Sequence, residues 1–371
     1  MIWEANPIPG GWEYLHKESG GRIILDHLYA TARGLEAWVE CWAEGEEIPL
    51  SQGQRNLMLA GAINPFVKDT SEHPHADDRT GTPWREGLRL AFYETVTAWR
   101  DGAATVDLAT IEPQTLQFLV EPLMEMGGNT RLIAPGGSGK SIFALAVALT
   151  VATGSQKFLG LGTHVTGPVL YLDYEANKET HAQRMAALCA PLGMKRPGRD
   201  LMLYRNESAP LARTAQAVRR AADRDGAVML VVDSAKMAAG PSGQSSGEES
   251  TLSLYLALRE IGRPALIVDH KSKEATEKGR LGGYGSVFNE NLARLQWEYT
   301  YYSRAGDLRR WVLALTKENN VGDIEPLAFI LETKGGRAGL SSARFAQANP
   351  ESIMAQSDDT DLGNRIFAVL R

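Results

Sequence analysis

Residues 132–154 read LIAPGGSGKSIFALAVALTVATG. A short apolar run meets a glycine cluster, then Lys-Ser, then a longer apolar run. A buried strand has to end there and a helix begin, with a turn between them that leaves backbone N–H groups unclaimed. The pattern Gly, four residues, Gly-Lys-Ser/Thr is a phosphate cradle. Ala134 stands at the first glycine position, and Gly139, Lys140 and Ser141 complete the rest. The candidate phosphate-binding residues are thus Pro135, Gly136, Gly137, Ser138, Gly139, Lys140 and Ser141. Their N–H groups are expected to point into one concavity, reinforced by the positive end of the following helix. Lys140 is placed to reach the β and γ phosphates of ATP, and the Ser141 hydroxyl to bind Mg²⁺. A glycine-rich turn without a ligand would not need the Lys-Ser pair between strand and helix.

The cradle sits inside a repeating pattern. RLIA, VLYLDY, VMLVVD and ALIVD are short runs of Val, Leu and Ile, as buried parallel strands are. Helical segments at 141–153, 177–190, 214–225 and 252–262 separate them. The alternation predicts an α/β core, a mainly parallel sheet flanked by helices, over residues 128–345.

Residues 1–108 differ in composition, since six of the eight tryptophans fall before residue 100. RIILDHLYATARGLEAWVECW predicts two strands around Gly34. TPWREGLRLAFYETVTAW predicts a helix capped by Thr82, with Pro83 in its first turn. Trp84, Leu88, Phe92, Val96 and Trp99 would share one face of it. This segment reads as a small mixed α/β domain of unassigned role, its tryptophans forming a core. The loop KDTSEHPHADDRTG holds His73 and His75 without companion ligands, so it reads as solvated rather than metal-binding. Residues 109–127 read as a connector, and 346–371 as a flexible polar tail that closes on a helical start, NRIFAVLR. The chain shows no internal repeat.

Acids end two of the predicted strands. VMLVVDS places Asp233 after five consecutive apolar residues, the position of a Mg²⁺-side carboxylate. VLYLDYE ends in Asp173 and Glu175. Glu175 is the candidate to orient and deprotonate an attacking water, with Asp173 and Glu179 as competitors.

Taken in order, APGGSGKS, VLYLDYE, VMLVVDS and ALIVDHKSK resemble the RecA-like P-loop ATPase core. Within it they resemble the branch of RepA-type hexameric replicative helicases and their phage and plasmid relatives. The resemblance covers roughly residues 128–335. It implies that Glu175 is the catalytic base, that Asp233 serves the metal, and that His270 senses the γ-phosphate and relays its loss to the basic stretch that follows. GSVFNENLARLQWEY aligns Arg294 with an arginine that reaches the neighbouring subunit's ATP, where a guanidinium stabilises developing charge. LTKENNVG makes Lys317 a second candidate for that contact. Either assignment implies a homo-oligomer, by resemblance a hexameric ring.

Two long stretches follow predicted strands, Lys236 to Ser250 and Lys271 to Ser286. The second carries Lys271, Lys273, Lys278 and Arg280, with Tyr284 among glycines, a set suited to tracking and stacking on single-stranded DNA. Such contact has to be local, because the net charge of the 371 residues is −6. Cys41 and Cys189 have no metal-ligand spacing and read as free thiols of a reducing compartment. The longest apolar run, Ile142 to Ala152, is too short to span a bilayer, and MIWEANPIPGGWEYL has no signal-peptide pattern. A cytoplasmic protein without membrane contact is expected. Three readings follow: a DNA-translocating motor, an ATP-switched DNA-binding or recombination mediator that does not unwind, and a regulatory ATPase without nucleic acid. The N-terminal domain is the expected contact for replication or recombination proteins. Lys140→Ala should lower ATP turnover on the order of 10²-fold or more, measured as phosphate release at saturating ATP.

Overall fold

The computed structural model describes residues 2–8, 10–72, 81–102, 107–112, 115, 117–240, 247–270, 292–305, 307–318, 324–336 and 339–355. His73 and His75 lie outside them, as does the segment NRIFAVLR. The chain divides into two compact units, residues 1–113 and 114–371.

The first unit is a five-stranded antiparallel sheet in sequential order: β1 (Trp3–Ile8), β2 (Gly11–His16), β3 (Arg22–Thr31), β4 (Gly34–Trp42) and β5 (Ser51–Asn56). Helices α1 (Asn64–Glu72) and α2 (Trp84–Asp101) follow. Strict alternation builds β4: Leu35, Ala37, Val39 and Cys41 are buried between partly exposed neighbours. They join Leu88, Ala91 and Phe92 of α2 in one core. The strand turn at Gly34 uses φ +128°, a region side chains avoid. Three details depart from the sequence expectation. Pro83, not Thr82, occupies the N-cap position of α2, without a side-chain cap bond; the Thr82 hydroxyl is instead bonded to Ser19. Trp99 is 43% exposed, so the buried stripe ends before it. Trp38 and Trp42 alternate away from the core residues and both donate to Glu40, at 2.9 Å each, so the tryptophans do not form a single core.

The second unit opens with a short pair, β6 (Phe118–Val120) and β7 (Met124–Glu125). It continues through β8 (Asn129–Ala134), α3 (Lys140–Thr153), β9 (Val169–Asp173), α4 (Lys178–Cys189), β10 (Met202–Asn206), α5 (Leu211–Arg224), β11 (Met229–Asp233), α6 (Ala235–Ala239), α7 (Gly247–Ile261) and β12 (Ala265–His270). Then come β13 (Leu295–Ala305), β14 (Leu308–Lys317), β15 (Leu327–Gly336), β16 (Gly339–Ala348) and α8 (Pro350–Ala355). Nine strands form one sheet in the order β10-β9-β11-β12-β8-β13-β14-β15-β16. From β10 to β13 the neighbours run parallel, and β14 to β16 add antiparallel. Alternate residues feed two cores. Residues of α3 and α4 pack on one face with Leu132, Tyr171, Val231 and Trp297. Residues of α5, α6 and α7 pack on the other with Leu170, Val232 and Ile267. The fold is the predicted α/β one, a large mostly parallel sheet between helices.

The four strands read as apolar runs are present. Strand β10, MLYRN, lacks that signal because it is a half-exposed edge with polar residues. Strand β13 lies parallel beside β8, and β14 to β16 form the antiparallel extension, which lies outside the four runs named from the sequence. Residues 118–125 are not a free connector: Leu119, Val120, Leu123 and Met124 are buried in the larger core, and the Trp297 indole donates to the Leu123 carbonyl at 3.0 Å. Nor is the start of the tail flexible, since β16 runs to Ala348 and α8 buries Ile353 and Met354. The expected loop from Lys236 to Ser250 is helical at both described ends, in α6 and α7. Glu248 and Glu249 occupy the first turn of α7, where carboxylates suit the helix dipole.

Aromatic packing anchors α3 to the extension. The Phe143 ring lies 6.2 Å from Trp311, 5.3 Å from Phe329 and 5.7 Å from Phe345, all edge-on. Phe143→Ala should therefore destabilise the unit by about 3–5 kcal/mol in urea unfolding, with the loss reduced for Phe143→Leu.

Candidate nucleotide-binding site

The carboxyl ends of β8, β9, β11 and β12 point the same way, because these strands are parallel neighbours. Whatever follows each of them enters one crevice. After β8 comes the glycine turn, with Gly137 at φ +71° and Gly139 at φ +99°. The turn is held from below. Ser138 donates its hydroxyl to the Pro135 carbonyl at 2.7 Å, and the Tyr299 hydroxyl donates to the Ser138 carbonyl at 2.9 Å. A Cβ on Gly139 would stand 3.1 Å from Trp311, whereas one on Gly136 or Gly137 would meet nothing within 4 Å. The open side faces a cavity of about 340 Å³ lined by Gly137, Gly139, Lys140, Ser141, Glu175 and His270.

Lys140 is 5% exposed, and its ammonium donates to the carbonyls of Ala134 (3.1 Å) and Pro135 (2.9 Å). Burial lowers its pKa, opposed by Asp233, Glu175 and Asp269. The third partner is His270 Nδ1, at 3.2 Å. The other ring nitrogen, Nε2, lies 3.4 Å from Glu175 Oε1. An ammonium only donates and a carboxylate only accepts, so the ring bridging them is the neutral Nε2–H tautomer. Glu175 also accepts from the Ser234 hydroxyl. The His270 hydrogen bond is the largest cause that brings its pKa down to about 2, against burial, so it stays ionised at neutral pH.

Asp233 is buried, bonds Ser141, and accepts from the Tyr171 hydroxyl at 2.8 Å. Burial raises its pKa despite both bonds. The Ser141 hydroxyl and the Asp233 carboxylate are the oxygen pair that could hold a divalent cation. Among the described residues no group of three or more His, Cys, Asp or Glu forms a metal cage. A hydroxyl and one carboxylate suit Mg²⁺, which takes its other oxygens from phosphate and water. Open glycine N–H groups, a buried ammonium and this oxygen pair fit a nucleoside triphosphate with its cation.

The sequence left Glu175 in competition with Asp173 and Glu179. Asp173 is committed elsewhere: its carboxylate accepts the N–H groups of Glu175 (3.1 Å) and Ala176 (3.0 Å) and the Tyr204 hydroxyl (2.8 Å), beside His181. That turn ends β9 and breaks the alternation which would have put Asp173 and Glu175 on one side. Glu179 is exposed in the first turn of α4.

Arg294 and Lys317 do not reach this cavity. The Arg294 N–H bonds the Asn129 carbonyl at 2.9 Å, and its charge acts on Glu125. Lys317 donates to the Ala293 carbonyl at 2.8 Å. Both stand beside the amino end of β8, on the order of 15 Å along the strand from the cradle at its other end. Lys271, Lys273, Lys278, Arg280 and Tyr284 lie outside the described residues. Two arginines that sequence reasoning missed do line the cavity, Arg184 of α4 and Arg309 of β14. Arg309 sits in the antiparallel extension, which overhangs the crevice. Its only sequence signal is a pair of arginines opening LRRWVLAL.

Residues 98–276 match the family described as an AAA domain. The chain also resembles the crystal structure of a KaiC-like protein from the hyperthermophilic archaeon Pyrococcus horikoshii OT3, at 16% identity and a TM-score of 0.43, over 62% of this chain and 94% of that one. Among the described residues no helix is long and apolar enough to cross a membrane. Glu175→Gln should leave nucleotide affinity within a few-fold and lower kcat about 10²-fold, compared by fluorescent-nucleotide titration and single-turnover hydrolysis. Because its folded pKa is depressed, ionised Glu175 stabilises the protein above about pH 4.5 and ceases to do so as pH falls toward 2.

Proposed function

We propose that this RecA-like P-loop ATPase is an oligomeric motor that hydrolyses ATP to move along single-stranded DNA, in the manner of a replicative helicase and as a hexameric ring. The observation that carries this reading is the place of His270. Its ring touches both Lys140 and Glu175, and the next residue in the chain opens the basic stretch of Lys271, Lys273, Lys278 and Arg280. One peptide bond separates the group that feels the terminal phosphate from the segment that would hold DNA.

ATP supplies the transferable γ-phosphoryl group and Mg²⁺ neutralises its charge. The chain's residues do the rest. The glycine N–H groups and Lys140 bind phosphate oxygens, and Ser141 and Asp233 hold the cation. Glu175, steadied by Ser234, orients a water and takes its proton. His270 exchanges its Lys140 contact for the phosphate and moves the chain after it. Arg184 and Arg309 add positive charge on the open side. Arg294 and Lys317, far from their own cradle, act on a neighbour's site, which requires the oligomer.

The net charge of −6 keeps a further reading in play, a regulatory ATPase without nucleic acid. A mediator that binds DNA without unwinding differs from the motor only in its output. Single-stranded DNA should raise the ATPase rate several-fold, with an effect that weakens steeply with salt. Neutralising Lys271, Lys273 and Arg280 together should remove that rise without changing the basal rate. A rate indifferent to DNA and RNA would favour the regulatory ATPase, and stimulation without unwinding of a forked duplex would favour the mediator.

A further inference from the structure

The sheet buries one ion pair that the ATP-handling groups leave unused. Arg131, in the middle of β8, is 2% exposed, and Asp269, the penultimate residue of β12, is 3% exposed. The guanidinium holds Asp269 Oδ2 through two nitrogens, Nε at 2.9 Å and Nη2. Its Nη1 donates to Gln296 Oε1 of β13 at 3.1 Å, and Gln296 donates to the Thr316 hydroxyl of β14 at 3.1 Å. A polar row thus crosses four adjacent strands. An ion pair this deep costs desolvation, and apolar side chains of like size commonly serve packing as well or better. Its geometry points to another use. Asp269 divides its oxygens: Oδ2 faces Arg131, and Oδ1 accepts the backbone N–H of His270 at 2.7 Å. The peptide plane from which the His270 ring departs is therefore tied to the guanidinium. On the same strand pair, His270 stands opposite Ala134, whose carbonyl receives Lys140.

We infer that Arg131 is a positioning residue for ATP hydrolysis: by clamping Asp269 it fixes the backbone from which His270 reaches Lys140 and Glu175. The inference rests on the hydrolytic role given to His270 above. Structural and positioning roles separate in a double replacement. Arg131→Met with Asp269→Leu removes both charges, keeps the volume apolar and takes away the acceptor of the His270 N–H. Arg131→Met alone leaves a buried carboxylate unpaired and should lower the thermal midpoint. The double variant should recover that midpoint and bind a fluorescent ATP analogue within about threefold of wild type. Its kcat should nevertheless fall about ten- to a hundredfold, and the acid limb of its pH–rate profile should move up, as Glu175 loses its His270 partner. Wild-type kcat and pH profile at a normal midpoint would overturn the inference. Should the double variant not fold, Arg131→Lys decides: it keeps the charge but not the fork. Reduced kcat at unchanged nucleotide affinity supports positioning, and full kcat overturns it. His270→Ala, measured alongside, tells the two failures apart. If it leaves kcat unchanged, the role given to His270 fails; if it lowers kcat while the double variant does not, only the clamp fails.

Discussion

A lysine ammonium held almost out of water is the constraint around which the larger unit is arranged. Lys140 has to remain charged to hold phosphate, yet burial pulls its pKa down. It can stay where it is only because the end of β8 offers the carbonyls of Ala134 and Pro135 and the end of β12 offers His270 Nδ1. Those acceptors come together because β8 and β12 are parallel neighbours in a register that pairs Ala134 with His270. A slip of one residue would turn every side chain of β12 to the other face. Sheet register, the glycine turn and the placement of His270 are therefore one requirement, met by backbone pairing on one side and by the turn glycines on the other.

The same requirement explains why the neighbouring acids differ. Asp173, Glu175 and Asp233 all stand at strand ends, but they meet different partners. Asp173 is consumed by two backbone N–H groups, a tyrosine and a histidine, and ends its strand. Asp233 is buried against Tyr171 and Ser141, and burial disfavours its ionised form. Glu175 is the one turned toward the open cavity and held ionised by His270. Three carboxylates of similar intrinsic acidity are thus given three environments, a backbone turn, a buried pair of hydroxyls and an open cavity, by their surroundings alone.

Much of this is legible in the sequence because it is local. A glycine turn before Lys-Ser and apolar runs that end in acids are patterns of a few consecutive residues, and they suffice to place the cradle, Asp233 and Glu175. What escapes is non-local. Nothing near Arg309 says that β14 overhangs the cradle, because β14 reaches that place by doubling back on β13. Strand β10 looks like a loop because an edge strand has less need of apolar side chains. The choice between Asp173 and Glu175 depends on where the strand stops, which two backbone hydrogen bonds decide. Thr82 has the composition of a cap, but its hydroxyl is taken by Ser19.

The antiparallel extension has a consequence for how the site comes into being. Lys140 belongs to the first helix of the larger unit, while Arg309, Thr333 and Leu340 of the same cavity come from its last strands. Chains are made from the amino end, and contacts between distant segments wait for the later one. On the ribosome the glycine turn emerges long before its far wall exists, so the growing chain exposes a phosphate cradle that is open on one side. Aromatic packing of Phe143 on Phe329 and Phe345 can close it only after those strands have been made. A chain that stalls before β14 therefore carries the cradle without the enclosure.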